Sequence, residues 1–140
     1  MSFCKKKHNV SVRYGETDQM GYVYHGNYAQ FLEIGRIEWL RAFGFSYKKM
    51  ETDGIMLPVL KLEFEFKKSA FFDDTLTIET SLQSIPSYFI EFDYQIYNQN
   101  KELLCNAYTQ LVFLNANSRK PIRCPKNILE EISKEPDFGK

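Results

Sequence analysis

An aspartate and a histidine seven residues apart, Asp18 and His25, stand in a glycine-bearing loop between a strand pattern and a helix pattern. A carboxylate can attack a carbonyl carbon, or it can activate a water as general base. The first turn of a helix leaves backbone N–H groups unpaired. Near Gly26, Asn27 and Tyr28 such groups, helped by the helix dipole, can receive a developing oxyanion. A carboxylate facing oxyanion donors across a small gap is what ester or thioester hydrolysis needs. His25 either orients the loop or hydrogen-bonds a substrate carbonyl. By residue type alone an Asp in a loop is more often a turn former, but Met20, Gly21, Val23 and Tyr24 make this loop compact and apolar, which favours a partly dry carboxylate. The chain carries no serine nucleophile elbow and no Cys–His pattern to compete with this arrangement.

The elements on either side must position these groups. Val10, Val12 and Tyr14 alternate with Ser11, Arg13 and Gly15, the period of a strand with one buried face. From Tyr28 the period becomes helical: Tyr28, Phe31, Leu32, Gly35, Trp39, Leu40 and Phe43 share a face, and Ile34 and Ile37 widen it. Asn27 reads as the N-cap, Gln30 completes a capping box, and Gly44 stops the helix. Gly35 admits a second backbone, and Arg36 reaches Glu33 in an internal ion pair. Ser46 caps a short second helix ending at Gly54.

After Pro58 the pattern is that of strands. Leu60, Leu62, Phe64 and Phe66 form an apolar face opposite Lys61, Glu63, Glu65 and Lys67. Leu76 to Leu82, Tyr88 to Tyr97 and Leu103 to Leu114 follow, with a hairpin turn at Asn98–Lys101. The last of these strands is apolar on both faces and so is central, or meets another subunit. Ile128, Leu129 and Ile132 mark a short C-terminal helix after Pro125. Short connections imply antiparallel neighbours, hence an α+β fold with one sheet over one helix. Strand and helix do not alternate, and no Gly-rich phosphate loop is present, which excludes a doubly wound nucleotide-binding sheet.

Bulk composition narrows the function classes. The 140 residues suit one domain, here 1–140 with its core at about 9–125, and 44% hydrophobic with 16% aromatic residues is ample core material. Formal net charge is zero, so there is no general footprint for nucleic acid or an anionic membrane. The run Lys5-Lys6-Lys7-His8 reads as a solvated tail before the first strand. The opening residues lack an apolar signal segment and no run is long enough to span a membrane, so the expected location is cytoplasmic. Cys4, Cys105 and Cys124 read as reduced thiols, with Cys105 in the core. Two histidines without helical pairing give no basis for a metal, and no cofactor is expected.

Tyr14-x-Glu16-Thr17-Asp18-x-x-Gly21-x-Val23-Tyr24-His25-x-Asn27-Tyr28, followed by Phe31, Glu33 and Arg36, closely resembles the signature of the hotdog-fold acyl-CoA thioesterases. The branch it looks most like holds the 4-hydroxybenzoyl-CoA and Tol-Pal-associated thioesterases. The resemblance is dense in the first third and continues more loosely to about Pro125. It implies a curved five-stranded antiparallel sheet wrapped around a long central helix, dimers with a continuous sheet, and tetramers built from two dimers. It implies Asp18 as the catalytic carboxylate, His25 as the accompanying histidine, and Tyr14, Tyr24, Gly26 and Asn27 as substrate-side residues. Met20 stands where many relatives have a smaller residue. The implied substrate is a small to medium acyl or aroyl thioester carried on coenzyme A, or on acyl carrier protein. Lys61, Lys67, Lys68, Arg119, Lys120 and Arg123 are available for carrier phosphates, though each singly reads as a surface charge. The rival readings are a non-catalytic module that holds an acyl chain or acyl carrier protein, and a hydratase acting on enoyl thioesters.

Overall fold

The computed structural model describes residues 2–140. In chain order these form β1 (Phe3–Ser11), 3-10 turns at Tyr14–Glu16 and His25–Asn27, α1 (Tyr28–Ala42), α2 (Tyr47–Thr52), β2 (Ile55–Met56), β3 (Val59–Phe66), β4 (Thr75–Leu82), β5 (Phe89–Tyr97), β6 (Leu103–Val112), β7 (Leu114–Asn115) and α3 (Lys126–Ser133). Five strands make one sheet in the order β1-β4-β5-β6-β3, with every pairing antiparallel. The α+β architecture read from the sequence is therefore present. A separate ribbon of β2 and β7 adds to it, since two-residue strands are too short to produce a period.

The first strand starts earlier than its hydrophobic alternation suggests. The lysine run is part of β1 rather than a tail, because β4 offers it both backbone partners and charge. Lys5 and Lys7 both reach Glu79, and Lys6 reaches Glu135 at 2.6 Å. Paired lysines on an edge strand also discourage unwanted strand pairing. Tyr14, read as strand, instead lies in the first 3-10 turn and is 77% exposed.

The helix expected to be long is 15 residues, about 22 Å at 1.5 Å per residue. It lies chiefly over β4 and β1. Tyr28, Phe31, Leu32, Gly35, Arg36, Trp39 and Leu40 are its buried positions, and each fully buried Leu or Phe contributes about 1.5–3 kcal/mol. Trp39 Nε1 donates to the Cys4 carbonyl at 2.7 Å, locking the helix to the start of β1. Asn27 precedes the helix but does not cap it, so the Asn27/Gln30 capping box is absent. The Asn27 side chain turns away from the helix, its Nδ2 donating to the Glu16 carbonyl at 2.8 Å.

Two further expectations change on packing grounds. Arg36 does not pair with Glu33. It is buried and donates to Tyr47 Oη at 3.4 Å and Tyr94 Oη at 3.3 Å, and Tyr94 in turn shares a 2.6 Å bond with Thr109 Oγ1. Burial opposes the guanidinium charge, but the oxygens of Tyr94 and Tyr47 more than offset it and its pKa rises, while burial pushes the Tyr94 phenol up to about 12. Gly35 admits sheet side chains rather than a backbone: a Cβ there would stand 2.6 Å from Thr80 Oγ1 and 3.0 Å from Ile78 Cγ2.

β3 is the edge strand beyond β6. Its apolar face, on the same side of the sheet as α1, is only partly covered, because α1 lies over β4 and β1 at the far end of the strand order: Leu60 is 54%, Leu62 45% and Phe66 47% exposed. β6 lies inside the sheet as expected, with Leu104, Cys105, Ala107, Thr109 and Leu111 buried. Ser46 caps α2 through Lys49 N–H at 3.1 Å, and α3 buries Ile128 and Ile132. Among the described residues no helix is long and apolar enough to cross a membrane.

Gly35→Ala tests the helix–sheet contact. The added methyl meets backbone-anchored side chains on β4, so urea unfolding is expected to show a loss of about 1–3 kcal/mol, where an exposed helical Gly→Ala would stabilise.

Candidate functional site

The loop between β1 and α1 folds back on itself through one small set of backbone bonds. Asp18 N–H donates to the Tyr22 carbonyl at 2.9 Å and Gly21 N–H to the Asp18 carbonyl at 3.0 Å. Gly21 takes φ +89°, a left-handed conformation that glycine adopts without steric cost. Asp18 Oδ1 accepts from Met20 N–H at 2.8 Å, an Asx turn. Asp18 is thus a turn former, as residue statistics favour. Only one of its carboxylate oxygens is used, however, and among the described residues no protein donor is assigned to Oδ2.

The turn is tied down on three sides. Val23 N–H donates to the Ala70 carbonyl at 2.8 Å. The Glu16 carbonyl accepts from Tyr24 N–H at 3.0 Å and from Asn27 Nδ2 at 2.8 Å. Glu16 itself is buried, its carboxylate bound to Arg13 N–H at 2.7 Å. Asn27, read as a cap and as a substrate-side residue, is used to hold the loop to the helix start. Glu16 belonged to the quoted motif, but nothing in its residue type announced that its carbonyl would be the joint.

Asp18 and His25 line one cleft of about 260 Å³. Tyr22, Val23, Tyr28 and Phe66 supply its apolar wall, and Lys67, Lys68 and Ser69 complete it. Tyr28 is buried edge-on to Phe66 with centroids 5.0 Å apart. Burial pushes its phenol up to about 12, so it stays neutral and can act only as a wall or a hydrogen-bonding hydroxyl. Phe66 reads in the sequence only as a strand residue and Tyr28 as the start of the helix, while Lys67 and Lys68 read as two of six cations available for carrier phosphates.

The backbone donors are displaced from where helix capping puts them. Asn27 N–H is paired with the Tyr24 carbonyl and Tyr28 N–H with the His25 carbonyl, both inside the 3-10 turn. Among the described residues the N–H groups of His25 and Gly26 have no backbone acceptor. The unpaired amides therefore belong to His25 and Gly26 rather than to Asn27 and Tyr28. The Tyr24 ring folds over Gly26 so closely that a Cβ there would come within 2.7 Å of it, and it also lies 4.4 Å from the His25 ring. Tyr24 and Gly26 adjoin the cleft without lining it. Tyr14 does not line the cleft either; its ring is edge-on to Phe72, with centroids 5.7 Å apart.

Two other hollows have less chemistry to offer. The larger, about 460 Å³, lies between α2 and α3, and the charges in it are already matched: Arg41 with Glu38 at 2.7 Å, Lys49 with Asp53 at 2.9 Å. Another of about 270 Å³ is lined by Tyr47, Met50 and Ile55 to Pro58. Neither combines a half-used carboxylate with unpaired amides. Among the described residues no group of three or more His, Cys, Asp or Glu converges as a metal-holding set.

Known proteins share this chain's sequence and fold over most of its length. The Bacillus subtilis protein YneP is 35% identical over 120 residues, covering 86% of this chain and 87% of its own length. The acyl-CoA thioester hydrolase YbgC of Escherichia coli is 33% identical over 123 residues, covering 88% and 92%. A crystal structure of the DHNA-CoA thioesterase from Staphylococcus aureus superposes with a TM-score of 0.82 at 35% identity, covering 85% of this chain and 80% of that one. The sequence model of the thioesterase-like superfamily matches residues 12–132, the span from the end of β1 to α3, and the chain belongs to that family.

Proposed function

We propose that the protein is an acyl-CoA thioesterase that hydrolyses small to medium acyl or aroyl thioesters to the free acid and thiol. The observation that carries this reading is the cleft that Asp18 shares with His25, in which one Asp18 carboxylate oxygen is left without a protein donor. The names borne by YbgC and the Staphylococcus aureus enzyme support the same class of substrate.

In this mechanism the acyl group lies against Tyr28 and Phe66, and its thioester carbonyl sits between Asp18 and the amides of His25 and Gly26. Asp18 Oδ2 either attacks the carbonyl carbon or takes a proton from an attacking water. The carbonyl oxygen becomes negative and is received by the backbone amides, whose fixed dipoles need no rearrangement. Collapse of the tetrahedral species expels the thiolate, which is protonated on leaving. Through the nucleophilic route a mixed anhydride on Asp18 forms and is then hydrolysed. His25 positions the carbonyl. No cofactor takes part.

Two copies join along β3 in this reading. An edge strand with free backbone groups and partly covered Leu60, Leu62 and Phe66 is a template for strand pairing. Pairing there would extend the sheet and bring the cleft wall at Phe66 to the subunit boundary.

Asp18→Asn is the decisive variant, because the amide oxygen keeps the bond to Met20 N–H while the charge is lost. Thiol release from a panel of acyl-CoA substrates is expected to fall by about 10²–10⁴-fold with the melting temperature unchanged. Wild-type activity in this variant would refute the mechanism, and tight acyl carrier protein binding with no turnover would favour the non-catalytic module. Single turnover in ¹⁸O-water tests for the anhydride: its hydrolysis at the Asp18 carbonyl leaves the label in the Asp18 carboxylate and none in the first-formed acid, whereas the general-base route puts the label in the acid and never in Asp18.

Leu62→Lys places a charge in the middle of the partly covered face of β3. Sedimentation is expected to show a dimer or tetramer for the wild type and a shift toward monomer for the variant; a monomeric wild type would rule out pairing along this edge.

A further inference from the structure

The start and the end of the chain are fastened to each other. After α3, residues 134–140 form tight turns: Phe138 N–H donates to the Glu135 carbonyl at 3.1 Å and Lys140 N–H to the Asp137 carbonyl at 3.0 Å. Among the described residues none of their backbone groups bonds to the sheet. Side chains hold them there instead. The Asp137 carboxylate accepts the Cys4 N–H on both oxygens, at 3.1 Å and 3.3 Å. Glu135 pairs with Lys6 at 2.6 Å, and Phe138 lies edge-on to Phe3 with ring centroids 5.7 Å apart.

What these residues hold is an irregular stretch of a sheet edge. β1 is an edge strand, and its register with β4 shifts between Phe3 and Lys6. Within the shift Cys4 takes φ +55°, a conformation few non-glycine residues adopt. An edge-strand amide outside the regular ladder is a group that an added strand can bond. Here Asp137 takes it, and the Cys4 carbonyl is taken by Trp39 Nε1 at 2.7 Å. Both halves of the clasp, 3–6 and 134–140, lie outside the residues 12–132 that match the family model.

A segment held by a few side-chain contacts, without backbone bonds to the body of the fold, opens at a lower free energy than the strands beneath it. We infer that residues 134–140 are a strap that opens as a local unit, and that in its closed state it keeps the start of β1 from pairing with the same edge of a second copy. A second copy is the partner this edge fits, because like strands meeting about a two-fold axis are antiparallel and offer each other the same backbone groups. The inference is independent of what the cleft hydrolyses.

Cys4 reports on the strap. It is 2% exposed, and burial, followed by the Asp137 and Glu135 carboxylates, pushes its thiol up to about 12, so it is unreactive while covered. Cys105, buried on β6, reports on opening of the sheet itself. Maleimide labelling of the native protein is followed at each cysteine by mass spectrometry for the wild type, for Asp137→Ala/Phe138→Ala, and for Lys140→Ala as a surface control. The double variant is expected to label at Cys4 at least about tenfold faster than the wild type, with Cys105 at its wild-type rate and the control unchanged. Sedimentation velocity of the double variant is expected to show concentration-dependent species larger than those of the wild type. Cys4 labelling at the wild-type rate, or equal acceleration at Cys105, overturns the strap as a local unit. Fast Cys4 labelling with wild-type sedimentation at every concentration overturns its shielding of the edge.

Discussion

The carbonyl oxygen of Glu16 is the joint on which the cleft depends. It accepts from the Tyr24 N–H and from the Asn27 side chain, so a single atom fixes the loop carrying Asp18 to the turn that opens α1. Burying an acceptor with one partner would already be adequate; two partners leave it little freedom to shift. The Glu16 carboxylate holds the chain end of β1 through Arg13 N–H. Strand, loop and helix therefore meet at one residue, Glu16. Positional error between reacting groups costs rate steeply, and in the proposed mechanism this joint would limit it between Asp18 and the amides of His25 and Gly26.

The second constraint is the seat of α1 on the sheet. The helix can approach β4 because Gly35 has no side chain at the point where Thr80 and Ile78 rise. The next residue, Arg36, brings a charge into the same interface. Without a carboxylate partner it is held by two phenolic oxygens and, through Tyr94, by Thr109 on β6. A buried cation is costly unless its donors are used, so this network also ties α1 and α2 to β5 and β6. The apolar contacts alone would tolerate some sliding of the helix; a guanidinium that must meet two fixed hydroxyls tolerates less.

What could be read in the sequence was what depends on local period and residue type. The strands after Pro58, the span of α1, the Ser46 cap and the central place of β6 all follow from alternation, helical spacing or capping chemistry. The pairing of Asp18 with His25 on one cleft was legible for the same reason, since both sit in one short loop. What was not legible depends on partners distant in the chain. The lysines of β1 form a strand because Glu79 and Glu135 await them. Arg36 prefers Tyr94 to the nearby Glu33 because the helix face it occupies turns inward. The free amides moved to His25 and Gly26 because a 3-10 turn, whose presence no residue there demands, engages the next two.

β3 illustrates how one strand can serve two ends. Along most of its length it has the properties of an unfinished edge, with free backbone groups and an apolar face that this chain only partly covers. Just past its last residue, Phe66, the N–H groups of Lys67 and Lys68 both donate to the Leu104 carbonyl, and the regular ladder ends there. A strand that continued straight would carry Lys67 and Lys68 to opposite faces and extend the sticky edge past the cleft mouth. The doubled bond therefore stops the pairing edge short of the cleft, and the residues that follow β3 are left to line the cleft rather than to extend a sheet.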